Sequence, residues 1–124
     1  MKKQIQKILE KAKKDKQVIA VALFGSSLKS KGRDIDLCLF LDKKYSNLEM
    51  SKQRMDYLKI ADKEVDLQIF QQVPIYIRIR ILKEGKILLS KNSPELYEIA
   101  FSTIKEFGFY KKLYTMYLQE VKNG

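Results

Sequence analysis

The chain has 124 residues, enough for one hydrophobic core, and 45% of them are hydrophobic. Lysine and arginine number 25 against 15 aspartates and glutamates, so the net charge is +10. Histidine is absent and Cys38 is the one cysteine, which excludes Ser-His-Asp catalysis, HExxH zinc sites and disulfides within the chain. A metal would have to be held by oxygen ligands, as Mg²⁺, Mn²⁺ and Ca²⁺ are.

The sequence predicts neither a membrane span nor a signal peptide. Its longest apolar run, residues 18–24, has seven residues, whereas a spanning helix needs about 20. A single cysteine is typical of a reducing compartment, so we expect a cytoplasmic protein. The leucines on either side of Cys38 predict that its side chain is a small buried hydrophobe. The positive charge favours an anionic partner, namely nucleic acid, a nucleotide or an acidic protein surface. Lysine enrichment also arises without any ligand.

The first half of the chain predicts a helix, two strands and a second helix. Residues 2–15 place apolar side chains at helical spacing beneath a lysine-rich outer face. Residues 18–24 form a short apolar run typical of a strand that is buried on both faces, and residues 34–41 predict a second strand. After a turn at residues 42–47, Ser46 or Asn47 is expected to cap a helix that reaches about Ala61.

The second half predicts two more strands around a segment that fits two structures. Residues 64–70 alternate as a strand, and residues 86–90 predict a short one. Between them, isoleucines alternate as in a strand, yet Pro74 and Gly85 suit the two ends of a helix.

A long helical segment is expected at the C-terminus. Ser93 and the proline after it are typical of a helix start, and Gly108 is expected to break or bend the helix. The order of elements predicts an α/β (α+β) fold in which helices pack on a mixed sheet. We expect one domain over residues 1–124, with its core motifs in residues 18–90 and a C-terminal helical segment at residues 93–121.

Aspartates inside predicted strands are the most unusual feature of the sequence. Asp34 and Asp36 are two residues apart, so a strand directs both side chains to one face, and aspartate is depleted from strands. A solvated strand face would by itself explain this pair. Asp66 adds a third carboxylate if its strand pairs with the second one. Three close carboxylates repel one another unless a divalent cation lies among them, so the pattern favours a Mg²⁺ or Mn²⁺ site.

A candidate phosphate-binding turn precedes these aspartates. Gly25 would let the backbone approach a phosphate closely, and Ser26 would donate its hydroxyl. Taken alone, the Gly-Ser pair is better explained as a simple turn, but its position just before the D-x-D motif favours phosphate binding. Three cations between the two motifs could neutralise a triphosphate: Lys29, Lys31 and Arg33.

Together these residues resemble a known family. Phe24-Gly25-Ser26, then D-I-D-L at residues 34–37, then V-D-L at residues 65–67 is similar to the signature of minimal nucleotidyltransferases of the DNA polymerase beta superfamily. Residues 81–89 resemble the family's short helix, Glu-Gly turn and following strand, which favours a helix for residues 74–84. The resemblance covers roughly residues 18–90.

The resemblance implies a polymerase-beta-like fold and a role for each motif. Asp34 and Asp36 would bind two Mg²⁺ ions, and Asp66 would bind one of them and help to activate the attacking hydroxyl. Gly25 and Ser26 would hold the β- and γ-phosphates of ATP. AMP would then pass to a hydroxyl acceptor while pyrophosphate leaves. Some relatives are antitoxins that adenylylate a tyrosine of a helical HEPN-domain toxin, so such a toxin is the expected partner.

The chain departs from the family pattern in the loop between the two motifs. Seven residues separate Ser26 from Asp34, where the family commonly has a few more. The family's Arg and Gly after Gly-Ser are replaced by residues 27–29, and Arg33 occupies a place where serine is frequent. Because all three carboxylates are kept, we expect an active enzyme whose shortened loop affects nucleotide affinity and base choice.

Aromatic residues are concentrated near the C-terminus. Four of the seven tyrosines and three of the six phenylalanines lie within residues 97–117. Residues 109–118 are more apolar than a terminal helix can easily bury, so they predict a contact surface for a helical partner protein or a second copy. Core packing is expected instead for the earlier members of the helix: Tyr97, Phe101, Ile104 and Phe107.

Two functions from different classes are compatible with these features. The first is an enzyme that transfers a nucleotide to a hydroxyl of a partner protein. The second is a non-catalytic basic module that neutralises a protein partner or binds RNA stoichiometrically, which the lysine-rich first helix supports. Three aspartates in the predicted strands of a cationic protein favour the enzyme. Nucleic acid is a less favoured partner, and no membrane partner is expected.

Overall fold

Four strands form one mixed sheet in the order β3-β2-β1-β4 in the computed structural model, which describes residues 2–25 and 35–123. Strand β1 is antiparallel to both β2 and β4, whereas β2 and β3 are parallel. A parallel pair needs a crossover, and helix α2 supplies it. The elements in chain order are α1 (Lys2–Lys14), β1 (Val18–Phe24), β2 (Ile35–Leu41), α2 (Asn47–Leu58), β3 (Val65–Ile69), a 3₁₀ turn (Phe70–Gln72), α3 (Ile75–Glu84), β4 (Lys86–Ser90) and α4 (Ser93–Asn123).

One face of the sheet is covered by α1 and α2. Ile8 of α1 is fully buried against the strands, as are Met50 and Tyr57 of α2. Most lysines of α1 face solvent, as the amphipathic pattern predicts. At the start of α2, the Ser46 hydroxyl accepts the Glu49 backbone N–H at 3.1 Å. This N-cap confirms the predicted helix start.

The other face is covered by α3 and α4. Phe40 of β2 stacks on Phe70 with 4.4 Å between ring centroids, and Ile81 of α3 and Leu96 of α4 complete this layer. The sheet is therefore buried on both sides, which explains why β1 is apolar along its whole length.

The ambiguous segment after β3 is a helix. Helix α3 follows Pro74, and the N–H of Gly85 donates to the carbonyl of Ile81 at its end. The family resemblance therefore predicted this element correctly, whereas the alternating isoleucines did not. Ile81 is buried in the layer between the helix and the sheet, and Ile79 is buried on a different side of the helix, about 200° around its axis.

Helix α4 is continuous from Ser93 to Asn123, so Gly108 does not break it, and the expected bend there stays a prediction. A Cβ built on Gly108 would meet no atom within 4 Å, so no packing constraint accompanies this glycine. A glycine in an exposed helix costs only about 1 kcal/mol relative to alanine. That penalty is too small to interrupt 31 residues of helix.

The core-facing side of α4 also differs from the prediction. Tyr97, Phe101 and Ile104 are 62%, 70% and 54% exposed, so their predicted core packing is wrong. Leu96 and Thr103 are buried instead, and Phe107 is half-buried. The physical reason is that α4 has apolar residues at helical spacing on two sides, and the sheet covers only one of them.

Among residues 2–25 and 35–123, none of the helices combines the length and apolar character needed to cross a membrane.

Candidate active site

Two of the predicted carboxylates lie side by side at one end of the sheet. Asp36 of β2 and Asp66 of β3 are partners in the parallel register, with Ile35 opposite Val65 before them. Paired residues of neighbouring strands point to the same face, so both carboxylates lie on the face covered by α3 and α4. Asp36 is half-buried, and the Asp66 side chain is 50% exposed. This end of the sheet therefore offers two acidic groups to solvent.

Gly25, directly after β1, is in contact with one member of this carboxylate pair, Asp36. Phe24 is the antiparallel partner of Asp36, so Gly25 follows directly beside it. Gly25 has φ +78°, and a Cβ placed on it would lie 2.5 Å from Asp36 Oδ2. Only glycine combines this left-handed backbone with the absence of a side chain. Gly25 and the start of β2 are thus built against each other.

The remaining predicted site residues lie outside the residues that the structure describes. These are Ser26, Lys29, Lys31, Arg33 and Asp34. Within the described ranges, no group of three or more histidine, cysteine, aspartate or glutamate side chains could hold a metal ion. The three-carboxylate cluster therefore stays a prediction. The structure shows two of its three members, Asp36 and Asp66, side by side.

Arg54 of α2 is a site residue that the sequence analysis missed. Its Nε donates to the backbone carbonyl of Leu67 at 2.6 Å, and one terminal nitrogen lies 3.5 Å from Asp66 Oδ1. The same Oδ1 accepts the Leu67 N–H at 2.9 Å. The guanidinium thus ties α2 to β3 and steadies the Asp66 carboxylate. Nothing in the spacing of Arg54 and Asp66 predicts this pair, because it depends on how the crossover helix packs.

A small groove extends from the glycine turn to α3. Phe24, Gly25, Ile77, Arg80 and Glu84 line it, and its volume is about 70 Å³. A terminal nitrogen of Arg80 lies 3.6 Å from Glu84 Oε2. Ligand pockets commonly hold about 300–1,000 Å³, so this groove accounts for only part of a nucleotide site. It places a cation that the sequence analysis did not consider beside Gly25.

Cys38 follows Asp36 on the same strand face but takes no part in this chemistry. Its side chain is fully buried, and burial raises the pKa of the thiol well above its usual range. A thiol without access to solvent and without a stabilised thiolate is not a nucleophile. The sequence-based interpretation of Cys38 as a small buried hydrophobe is confirmed.

The chemistry of the described donors fits a hard divalent cation. Asp36 and Asp66 supply carboxylate oxygens on adjacent strands, and the exposure of Asp66 leaves access for water or phosphate. Mg²⁺ is commonly held by one or two carboxylates that leave several positions to water and substrate phosphates. The site is therefore suited to binding a metal–nucleotide complex at this end of the sheet.

Comparison with known sequences points to the same chemistry. Residues 4–94 match the family model described as Polymerase beta, Nucleotidyltransferase. The protein MJ1547 of Methanocaldococcus jannaschii, named as a candidate protein adenylyltransferase, is 32% identical over 78 residues. The match covers 58% of this chain and 56% of MJ1547, so the chain spans little more than half the length of that relative.

Solved structures share the fold over nearly the whole chain. A chain of the MntA–HepT toxin–antitoxin crystal structure matches with a TM-score of 0.69 and 16% identity, covering 98% of each chain. The complex of the tri-AMPylated Shewanella oneidensis HEPN toxin with the MNT antitoxin gives a TM-score of 0.68 at 17% identity, with 98% of each chain covered. A toxin–antitoxin structure with AMP-PNP gives 0.69 at 18% identity over 97% of each chain.

These findings confirm the expected fold and the family resemblance. The family model spans both the glycine turn and the two paired aspartates, and it extends over most of the chain. The mixed sheet with helices on both faces is the architecture found in the structural matches. The chain belongs to the polymerase beta nucleotidyltransferase family.

Proposed function

We propose that this protein is a metal-dependent adenylyltransferase that moves AMP from ATP to a tyrosine hydroxyl of a helical partner protein. The observation that carries the proposal is the pairing of Asp36 with Asp66 beside the Gly25 turn. A phosphate-binding turn must lie next to the metal-binding carboxylates if one nucleotide is to contact both. The contact between Gly25 and Asp36 supports that arrangement.

Phosphate binding is assigned to the turn and to the cations that follow it. The backbone at Gly25 and the hydroxyl of Ser26 would hold the β- and γ-phosphates. Lys29, Lys31 and Arg33 would offset the charge of the triphosphate, which a net charge of +10 also favours.

Metal binding is assigned to Asp34, Asp36 and Asp66. When bound, Mg²⁺ would supply positive charge that stabilises the charge developing on the phosphoryl oxygens. Asp66 would accept the proton of the acceptor hydroxyl as that oxygen bonds to the α-phosphorus. The bond from the α-phosphorus to the bridging oxygen then breaks, and pyrophosphate leaves with the electron pair. Arg54 would hold the Asp66 carboxylate in place during this step.

The acceptor and the biological role are proposed from the relatives. MJ1547 is named as a candidate protein adenylyltransferase, and a matched structure contains an AMPylated HEPN toxin with its MNT antitoxin. We therefore assign this chain the role of an antitoxin that modifies a HEPN-type toxin. A cytoplasmic location is part of the proposal, and the single buried cysteine is compatible with it.

The test is transfer of label from α-labelled ATP to the product of the neighbouring gene in the presence of Mg²⁺. Asp36→Asn should abolish transfer, because it removes a charged ligand without changing side-chain size. Asp56→Asn is the matched control, since Asp56 lies on α2 in an exposed ion pair with Lys59 at 3.8 Å. The control should retain the activity of the wild type.

The non-catalytic alternative gives a different outcome in the same experiment. If wild type and Asp36→Asn neutralise the partner equally and no label is transferred, the protein acts by stoichiometric binding. Omission of Mg²⁺, or its replacement by Mn²⁺, then tests whether the protein requires a metal. A binding module would neutralise its partner without one.

A further inference from the structure

The C-terminal half of α4 carries an exposed apolar stripe. Every side chain of residues 108–123 is exposed, although many of them are large and apolar. The six residues that share one side of this segment are between 43% and 64% exposed. We call these six residues the tyrosine stripe: Tyr110, Leu113, Tyr114, Tyr117, Leu118 and Val121.

The tyrosine stripe continues the buried side of the same helix. Leu96 and Thr103 are buried against the sheet and lie seven residues apart. Tyr110 and Tyr117 extend this seven-residue spacing, so they lie on the same side of α4. The side of α4 that faces the core at Leu96 and Thr103 therefore continues into the second half of the helix, where the rest of the domain does not cover it.

Contacts with α3 fix the direction in which the stripe faces. Tyr76 meets the rings of Phe107 and Tyr110 edge-on, at centroid distances of 6.0 Å and 5.7 Å. Arg78 pairs with Glu106 at 2.8 Å one turn before the stripe begins. Because the helix is held at this level, the orientation of the exposed stripe follows from contacts within the domain.

We propose that the tyrosine stripe is a self-association surface that pairs antiparallel with the stripe of a second copy of this chain. Its six positions form a symmetric set about the point between residues 115 and 116. In an antiparallel pair Tyr110 then lies opposite Val121, Leu113 opposite Leu118 and Tyr114 opposite Tyr117. An isologous twofold interface requires this self-complementary distribution, whereas an unrelated partner would not.

The area and composition of the stripe agree with this occupant. Aromatic side chains bury about 150–250 Å² each when covered. The three half-exposed tyrosines, together with the two leucines and the valine, thus offer on the order of 500 Å² per copy, and a pair buries about 1,000 Å², the lower bound for a specific interface. The stripe contains no charged residue, so pairing it leaves no charge buried.

The paired arrangement leaves the candidate active site accessible. Ser102 of α4 lines a cavity of about 420 Å³ together with Asp42, which follows the carboxyl end of β2. Asp36 lies at the amino end of the same strand, about 20 Å away at 3.3 Å per residue. Self-association through α4 is therefore compatible with a protein acceptor at the other end of the sheet.

The first experiment measures the mass of the full chain by sedimentation equilibrium at about 100 µM. The measurement is made at 0.3 M salt, because two copies that each carry +10 repel one another at low ionic strength. We expect twice the chain mass of 14.6 kDa. Tyr114→Lys should yield monomers, whereas Phe101→Lys should remain dimeric because Phe101 is 70% exposed on the opposite side of α4. Circular dichroism should show that both variants keep the helix content of the wild type.

The second experiment tests the antiparallel register by disulfide formation in a Cys38→Ser background. A mixture of Tyr110→Cys and Val121→Cys chains should form a mixed disulfide, because these positions face each other. Either variant alone should not form one, since two copies of Tyr110 are about 16 Å apart at 1.5 Å per residue, beyond disulfide reach. Disulfides within the Tyr110→Cys variant alone would indicate a parallel pair and overturn the proposal.

A monomeric wild type at 100 µM also overturns it and leaves the stripe to a different protein. Dimers that persist in Tyr114→Lys place the contact elsewhere on the chain and overturn it as well. None of these outcomes depends on nucleotide transfer, so they are independent of the proposed enzymatic function.

Discussion

Gly25 and Asp36 are built against each other so closely that a single added methyl group would collide with the carboxylate. A Cβ at position 25 would lie 2.5 Å from Asp36 Oδ2 and 3.2 Å from its Cγ. The backbone of Gly25 has φ +78°, which other residues adopt only with strain. The glycine of the predicted Gly-Ser motif is therefore required by the close approach of Asp36 in β2.

Gly25→Ala should reduce adenylyl transfer severely while the protein still folds. The methyl group displaces the Asp36 carboxylate, and the left-handed backbone adds about 1–2 kcal/mol of strain. Initial transfer rates and thermal unfolding, measured on the same preparation, separate the two effects.

Gly108→Ala is the matched control for this substitution. Its new Cβ meets no atom within 4 Å, and alanine is favoured over glycine in a helix. The control should raise the free energy of unfolding by about 0.5–1 kcal/mol and leave transfer unchanged. Full activity of Gly25→Ala would show that the turn does not position Asp36.

Arg54→Gln should lower transfer by about 10- to 100-fold, the usual effect of losing a group that orients a metal-binding residue. The lost contacts are the 2.6 Å hydrogen bond to Leu67 and the 3.5 Å ion pair with Asp66. Since both charged side chains are partly exposed, the ion pair itself contributes no more than about 1 kcal/mol to stability.

Lys59→Gln at the C-cap of the same helix removes a more exposed ion pair, with Asp56 at 3.8 Å. It should leave the transfer rate at the wild-type level. Titration of Mn²⁺ binding provides a readout besides activity, and unchanged rates and metal binding in Arg54→Gln would contradict a positioning role.

Alkaline pH should destabilise the fold through two tyrosines. Burial and the hydrogen bond to Asp15 at 2.9 Å raise the pKa of Tyr57, and the hydrogen bond to Asp42 at 2.7 Å raises the pKa of Tyr45 to about 12. An unfolded tyrosine titrates near pH 10, so the unfolded state loses these protons first. The stabilisation is fully present below pH 10 and is lost as the pH rises toward 12.

Denaturant unfolding between pH 8 and pH 11 measures this loss. Tyr57→Phe should flatten the decline of the unfolding free energy above pH 10, because it removes a buried hydroxyl whose pKa is raised in the folded state. An unchanged slope in Tyr57→Phe would rule out this origin for the alkaline destabilisation.

Substitution by alanine should lower the free energy of unfolding by very different amounts at a buried and at an exposed phenylalanine. Phe40 is fully buried and stacks on Phe70, so Phe40→Ala should cost about 3–5 kcal/mol. Phe101 is 70% exposed, so Phe101→Ala should stay within about 0.5 kcal/mol of the wild type. Urea unfolding of both variants checks the assignment of the inner side of α4, and a large loss in Phe101→Ala would contradict it.

Local features of the sequence determined most of the fold. The apolar run of β1 and the start of α2 were predicted from the sequence and are confirmed. The pairing of β2 with β3, which the sequence analysis considered only as a condition, is parallel and places Asp36 beside Asp66. Such features are readable because the side chains of a strand alternate and those of a helix repeat at fixed spacing. The residue types Gly, Asp and Asp then indicated the chemistry, since few other roles place carboxylates inside strands.

Tertiary packing decided the features of the fold that local sequence patterns left open or predicted wrongly. Two sides of α4 were apolar at helical spacing, and only the position of the sheet determined that Thr103 is buried and Phe101 exposed. Arg54 reaches Asp66 only because the crossover helix packs beside β3, a relationship between residues 12 positions apart that no spacing encodes. The sequence by itself thus determined which elements form and which residues carry the chemistry. The packing of helices on the sheet decided which neighbours position those residues and which apolar surface stays exposed.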